Sequence, residues 1–96
     1  MNIIELRNKT LAARAVKDTA LDAEFKASPL RKYIDKQIQE AASNGEGKLT
    51  LNFYYANECA QGKRYGGPSM AAALRHYQSE GFIAFPERAH IVISWM

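Results

Sequence analysis

A single cysteine, Cys59, stands among 96 residues, so no internal disulfide framework can form, and no CxxC pair or Cys/His cluster offers a zinc site. Uninterrupted apolar runs are only a few residues long, too short to span a bilayer. The opening Met1-Asn-Ile-Ile-Glu-Leu-Arg lacks the basic start and long apolar stretch of a secretory signal. A reducing cytoplasm is therefore the expected compartment, and a virion interior fits equally. Charge of one sign is scarce too. Thirteen basic and ten acidic residues leave a net +3, which favours an anionic partner but falls below a dedicated nucleic-acid footprint. There are no internal repeats and no low-complexity segment.

What is present is an ordinary globular composition, 47% apolar and 24% charged. Its length suits one domain, residues 1–96, which buries about 60–65% of its unfolded surface and should be modestly stable. Residues 1–27 form an N-terminal helical region and 28–96 an α/β core. Residues 3–26 contain neither glycine nor proline and are rich in helix formers. Ile4, Leu11 and Ala15 share one face that Leu21 and Phe25 extend, but Asp18-Thr19 weakens the middle, so one helix or two shorter ones both fit. Ser28-Pro29 reads as an N-cap followed by proline at the first helical position. Leu30, Ile34, Ile38, Ala41 and Ala42 then recur at helical spacing until Ser43-Asn44-Gly45 stops the helix.

Past Gly47 the period becomes two. Leu49, Leu51, Phe53 and Tyr55 face one way, and Lys48, Thr50, Asn52 and Tyr54 the other, as in a half-buried strand. Residues 56–68 read as a long polar loop, a kind more often functional than merely connecting. Pro68-Ser69 opens a helix with Met70, Ala73, Leu74 and Tyr77 inward, ending at Gly81. Phe82–Phe85 reads as a strand, 86–89 as a turn, and His90–Trp95 as a last strand with Ile91, Ile93 and Trp95 inward. The expected fold is α+β, in the order α-α-β-α-β-β. Three antiparallel strands would bury Leu49, Leu51, Phe53, Ile91, Ile93 and Trp95 under helices packed on one face, against Leu30, Ile34, Ile38, Leu74 and Tyr77.

The stretch Gly62–Ser69 is the most suggestive chemically. Lys63 and Arg64 supply charge, Tyr65 a stacking surface, and Gly66 and Gly67 a loop that feeds the helix behind Ser69. Free N–H groups and the helix dipole favour an anion there. The spacing is neither a Walker loop nor a dinucleotide fingerprint. The plain alternatives are a solvated loop whose glycines turn the chain, and a protein contact. Tyr54, if outward, would join Lys63, Arg64 and Tyr65 in a mixed aromatic and basic surface; otherwise it packs under the loop. Cys59 could pair with His76 or His90 as nucleophile and base, but no orienting motif accompanies them. His76 and His90 are expected on wet faces. Glu40, Glu46, Glu58, Glu80 and Glu87 are scattered rather than paired for acid–base work. No enzyme, cofactor or metal is expected from these residues.

Two resemblances bear on function. Leu74-Arg-His-Tyr-Gln-Ser-Glu-Gly-Phe-Ile followed by a turn and strands resembles the end of a winged helix. That likeness implies a recognition helix for the DNA major groove, with Ala71, Ala72, Arg75, His76, Gln78 and Ser79 outward. The sequence departs from it in a long aromatic first strand and in having one helix between the first two strands. Second, Ala41-Ala42-Ser43-Asn44-Gly45, Leu49-Thr50-Leu51, Gly81-Phe82-Ile83 and Ile91-Val92-Ile93-Ser94-Trp95 resemble a loose group of small phage-encoded accessory proteins. That resemblance covers about two thirds of the chain and is mostly fold-level. It implies a phage-type accessory protein, and the sequence departs from it in the longer, basic, glycine-rich loop at 56–68. With the loop 62–69 beside Tyr54, the leading expectation is a binding protein of a host-cell cytoplasm that inhibits a host defence factor or sequesters a nucleotide-like anion. A virion or assembly component is a further alternative. Expected partners are thus a host protein or nucleotide-like anion, DNA as an alternative, no membrane, and a homo-oligomer formed through the first helix.

Overall fold

Two helix ends meet at Ser28, and this junction organises the N-terminal half. In the structure, a computed structural model describing residues 2–96, α1 spans Ile3–Ala27 and α2 spans Pro29–Ser43. The buried Ser28 hydroxyl donates to the Phe25 carbonyl at 2.6 Å and accepts from the Arg31 N–H at 3.3 Å. One residue thus closes α1 and caps α2. The rest of the chain is β1 (Lys48–Asn52), α3 (Phe53–Gln61), α4 (Met70–Ser79), β2 (Ile83–Glu87) and β3 (His90–Ser94). The α+β class and the three-stranded antiparallel sheet are as the sequence suggests. The element order is α-α-β-α-α-β-β, with one helix more than expected.

The sheet order is β1-β3-β2. Leu49 lies opposite Ile93 and Leu51 opposite Ile91, while Ala84 flanks Ile93 from the other side. Opposed residues of an antiparallel pair share a face. This face therefore meets the helices, and the core gathers Phe25, Leu30, Ile34, Phe53, Ala56, Ala72, Ala73, Tyr77, Ala84, Ile91 and Ile93. Tyr77 is its largest fully buried side chain. Its hydroxyl donates to Asp35 Oδ1 at 2.8 Å, and Asp35 Oδ2 takes Arg31 Nη1 at 3.0 Å. Burial first, then the Asp35 hydrogen bond, pushes the Tyr77 phenol far above the ordinary tyrosine range. The stop after α4 follows a Schellman pattern. Phe82 N–H reaches the Tyr77 carbonyl at 3.0 Å, Gly81 N–H reaches that of Gln78 at 3.1 Å, and Gly81 takes φ +97°. The Phe82 and Tyr77 rings meet edge-on at 5.7 Å, the apolar contact that accompanies this motif.

Several expectations give way. The first helix is continuous, yet Ile4, Leu11 and Ala15 are exposed; only its end, Leu21 and Phe25, joins the core. The alternation past Asn52 is not a strand. Asn52 caps a helix, accepting from the Tyr55 N–H at 3.0 Å. Phe53 and Ala56 then turn into the core, with Ala60 packed against it, so Tyr55 is exposed. The long loop shrinks to residues 62–69. The last turn is only Arg88-Ala89, with Arg88 at φ +56°, because β2 runs through Pro86 to Glu87. Val92, expected on a wet face, is buried on the central strand between Thr50 and Phe85. Leu49 and Trp95 are half-buried rather than central. Among the described residues no helix is long and apolar enough to cross a membrane.

Candidate functional site

The turn between α3 and α4 is held from beneath by a side chain that the sequence reading passed over. Asn57, on the inner face of α3, is only 2% exposed. Its Nδ2 donates to the Lys63 carbonyl at 2.9 Å, and its Oδ1 accepts from Gln61 Nε2 at 2.7 Å. A buried amide bonded to a loop carbonyl fixes that loop. Gly67 makes this possible: a Cβ there would lie 2.5 Å from both Asn57 Nδ2 and Oδ1. The helix before the loop ends at Gly62, with φ +77°, whose N–H bonds the Glu58 carbonyl at 2.8 Å. The helix after it begins at Ser69, which accepts from the Ala72 N–H at 3.0 Å.

Most of the suspected residues come together here. Tyr54, Arg64, Tyr65, Gly66, Gly67 and Ser69 line a cleft of about 160 Å³, along with Phe53, Asn57, Pro68 and Met70. The Tyr54 ring stands edge-on to buried Phe53 at 6.1 Å and meets the exposed Tyr65 ring at 5.4 Å. Lys63 does not line the cleft; its side chain is exposed and its carbonyl is held by Asn57. Arg64 is shared with Glu58, Nε to Oε2 at 3.4 Å, both half-exposed. Across the cleft lies the N-terminal end of α4, where the dipole is positive. The arrangement can therefore meet an anionic group from outside. A volume of this size is well below the roughly 300–1,000 Å³ of enclosed small-molecule sites.

The outward residues of α4 are less available than the sequence implies. Arg75 Nε donates to Asp22 Oδ1 at 2.9 Å, and its Nη2 lies 2.7 Å from the same oxygen and 3.8 Å from Asp18 Oδ1. The hydrogen bond to Asp22, opposed by partial burial, raises the Arg75 pKa further. His76, expected in solvent, has a side chain only 12% exposed, packed against Phe25 and Tyr77 at 5.3 and 4.9 Å. Ala72 is buried, and Gln78 donates to the Ala84 carbonyl at 2.8 Å. Ala71 and Ser79 remain exposed, and so does His90 on β3.

Cys59 is exposed on α3 beside two tyrosines. Tyr33 is raised above the usual phenol range by burial and then by Cys59; Tyr55 is raised by Cys59 first. Neither is a base or a cation that would activate the thiol. Among the described residues no three His, Cys, Asp or Glu side chains gather as a metal site. No family model matches the chain, and no curated protein or solved structure is significantly similar to it.

Proposed function

We propose that this protein is a non-enzymatic binding module that docks on duplex DNA in the manner of a winged helix. The contact surface is the loop Gly62–Ser69 and the N-terminal end of α4, with Arg88 in the β2–β3 turn as the wing contact. The observation that carries the reading is connectivity. From α2 onward the elements run helix, strand, helix, helix, strand, strand, and the sheet order is β1-β3-β2. That order is also the order of a winged helix, and α3 supplies the second interior helix that the likeness lacked. In this frame the basic stretch Lys63-Arg64-Tyr65 is the turn of the helix–turn–helix, next to a helix end suited to phosphate.

Available charge sets the strength. By themselves Lys63, Arg64 and Arg88 give about three phosphate contacts, which contribute about −3 to the salt slope and a modest affinity. Few side chains on α4 are free to read bases, so discrimination between sequences is expected to be small. Fluorescence anisotropy with a labelled duplex over a salt series tests this. Lys63→Ala with Arg64→Ala should weaken binding and flatten the slope by about two. Salt-independent binding, or none at 50 mM salt, defeats the reading.

A second reading has one observation behind it: the Tyr54–Tyr65 pair at the cleft could stack on the base of a free nucleotide whose phosphate meets α4. The small cleft would leave most of such a ligand in solvent. Titration calorimetry with nucleotides and cyclic nucleotides separates the two, since heat from mononucleotides without duplex binding favours the second.

A further inference from the structure

The contacts between α1 and α4 fix the direction of each. Asp18 and Asp22 meet Arg75, Phe25 meets His76 and Tyr77, and Lys26 shares a depression with Ser79 and Glu80. Residue numbers rise together, so the two helices run parallel. With Asp18 level with Arg75, the start of α4 at Met70 lies level with about residue 13 of α1. The ten residues before it overhang by about 15 Å at 1.5 Å per residue. This overhang leaves the body from the end that carries the α4 N-terminus and the loop with Lys63 and Arg64.

The overhang carries Glu5, Arg7 and Lys9, and the next turns of α1, level with the start of α4, add Arg14 and Lys17. Between residues 7 and 17 stand Arg7, Lys9, Arg14 and Lys17, with no acidic residue among them. All four are exposed, and none takes part in an ion pair among the described residues. Arg7, Leu11 and Arg14 lie at spacings of four and three that continue to Asp18, Asp22 and Phe25. The face that grips α4 thus runs on into the overhang. Arg7 therefore borders the space beyond the α4 N-terminus, and Arg14 lies level with its first turn. Cations, a positive helix end and the basic loop converge there, and their mutual repulsion calls for an anion. A second copy is a poor occupant, because pairing two copies along residues 7–17 would set four cations against four.

We propose that residues 7–17 of α1 form a second phosphate-contacting arm, which lies along the same duplex that the loop and α4 engage. This rests on the DNA-binding reading above and adds a surface to it. The test is the salt dependence of binding to a 24-bp duplex, read by anisotropy. The variant carrying Arg7→Gln, Lys9→Gln, Arg14→Gln and Lys17→Gln should lower the salt slope by about two to four and the affinity at least tenfold. The pair Arg7→Gln and Arg14→Gln should give about half that change. Neutralising exposed Lys32 and Lys36 on α2 should leave the slope as it is. Circular dichroism confirms that the variants fold. If duplex binding depends on Lys63 and Arg64 but the fourfold variant keeps the full slope, the arm is refuted and the parent reading survives. If the wild type binds no duplex, both fall. A wild-type dimer in light scattering, with the slope unchanged in the fourfold variant, assigns the segment to a second copy and overturns the inference.

Discussion

Replacing Gly67 by alanine isolates the device that shapes the loop. Gly67 has an ordinary negative-φ backbone, so the substitution adds no left-handed strain. Its effect is steric, since the three atoms nearest a new Cβ all belong to Asn57, at 2.5, 2.5 and 2.8 Å. Asn57 would have to leave its place and give up its bonds to Lys63 and Gln61. Two lost hydrogen bonds at about 1 kcal/mol each and a poorly satisfied buried amide put the cost near 3 kcal/mol. Asn57→Ala alone should cost about 2 kcal/mol, chiefly by stranding the Lys63 carbonyl. The double variant should cost no more than Asn57→Ala by itself, because the obstacle to the new Cβ is gone. A double-mutant cycle would then show a coupling of about 3 kcal/mol, far above the few tenths expected for independent sites. Urea unfolding followed at 222 nm measures each corner, and thermal midpoints should fall by roughly 4–8 °C per kcal/mol. Additive costs, giving a double variant about 5 kcal/mol down, would refute the reasoning.

Three further outcomes are expected. Tyr77→Phe should cost about 1.5 kcal/mol, the low end for a bond to a charged group because Asp35 can rehydrate. The folded Tyr77 phenol holds its proton above its unfolded pKa of about 10. Its contribution is therefore whole below that pH and is lost as pH climbs above it, so the urea midpoint should drop between pH 9 and 11 less steeply in the Phe variant. Arg88→Gly should stabilise by about 0.5 kcal/mol, relieving left-handed backbone at some cost in chain entropy, and thermal melting checks this. In hydrogen exchange, residues 3–12 of α1 should lose protection first without a ligand, since about ten residues of unsupported helix are marginal in water. Slow exchange there in a proven monomer would contradict it.

Where two local signals agreed, the sequence was readable. α2 has a serine–proline start, an apolar stripe and an Asn-Gly stop, and it forms over Pro29–Ser43. The error at residues 53–61 came from aromatic residues that suit strands and prolonged an alternation begun by Leu49 and Leu51. Two hints pointed elsewhere: Asn52 is a good cap, and Phe53, Ala56 and Ala60 keep helical spacing. The improbable length of the loop that resulted was itself a warning. The loop's basic and aromatic residues were legible as a group, and the structure brings most of them to one cleft. Asn57 was not legible, because a polar residue on a short helix announces nothing until its loop folds over it. The commitment of Arg75 to Asp22, 53 positions away, depends on tertiary packing that no local pattern encodes.

The strand order has a consequence for how the molecule is made. β3 follows both of its partners in sequence and is the middle strand of the sheet, so β1 and β2 never touch as a ladder. During synthesis the inner row of β1, Leu49 and Leu51, has no strand to pair with until residues through Ser94 have left the ribosome. The β2–β3 hairpin, joined by two residues, is the local piece able to form first, and docking of β1 closes a loop of about forty residues at a correspondingly slower step. A nascent chain stalled within β3 would therefore present an unpaired strand and bare apolar helix faces, the form in which small proteins of this build are most exposed to proteases and to one another.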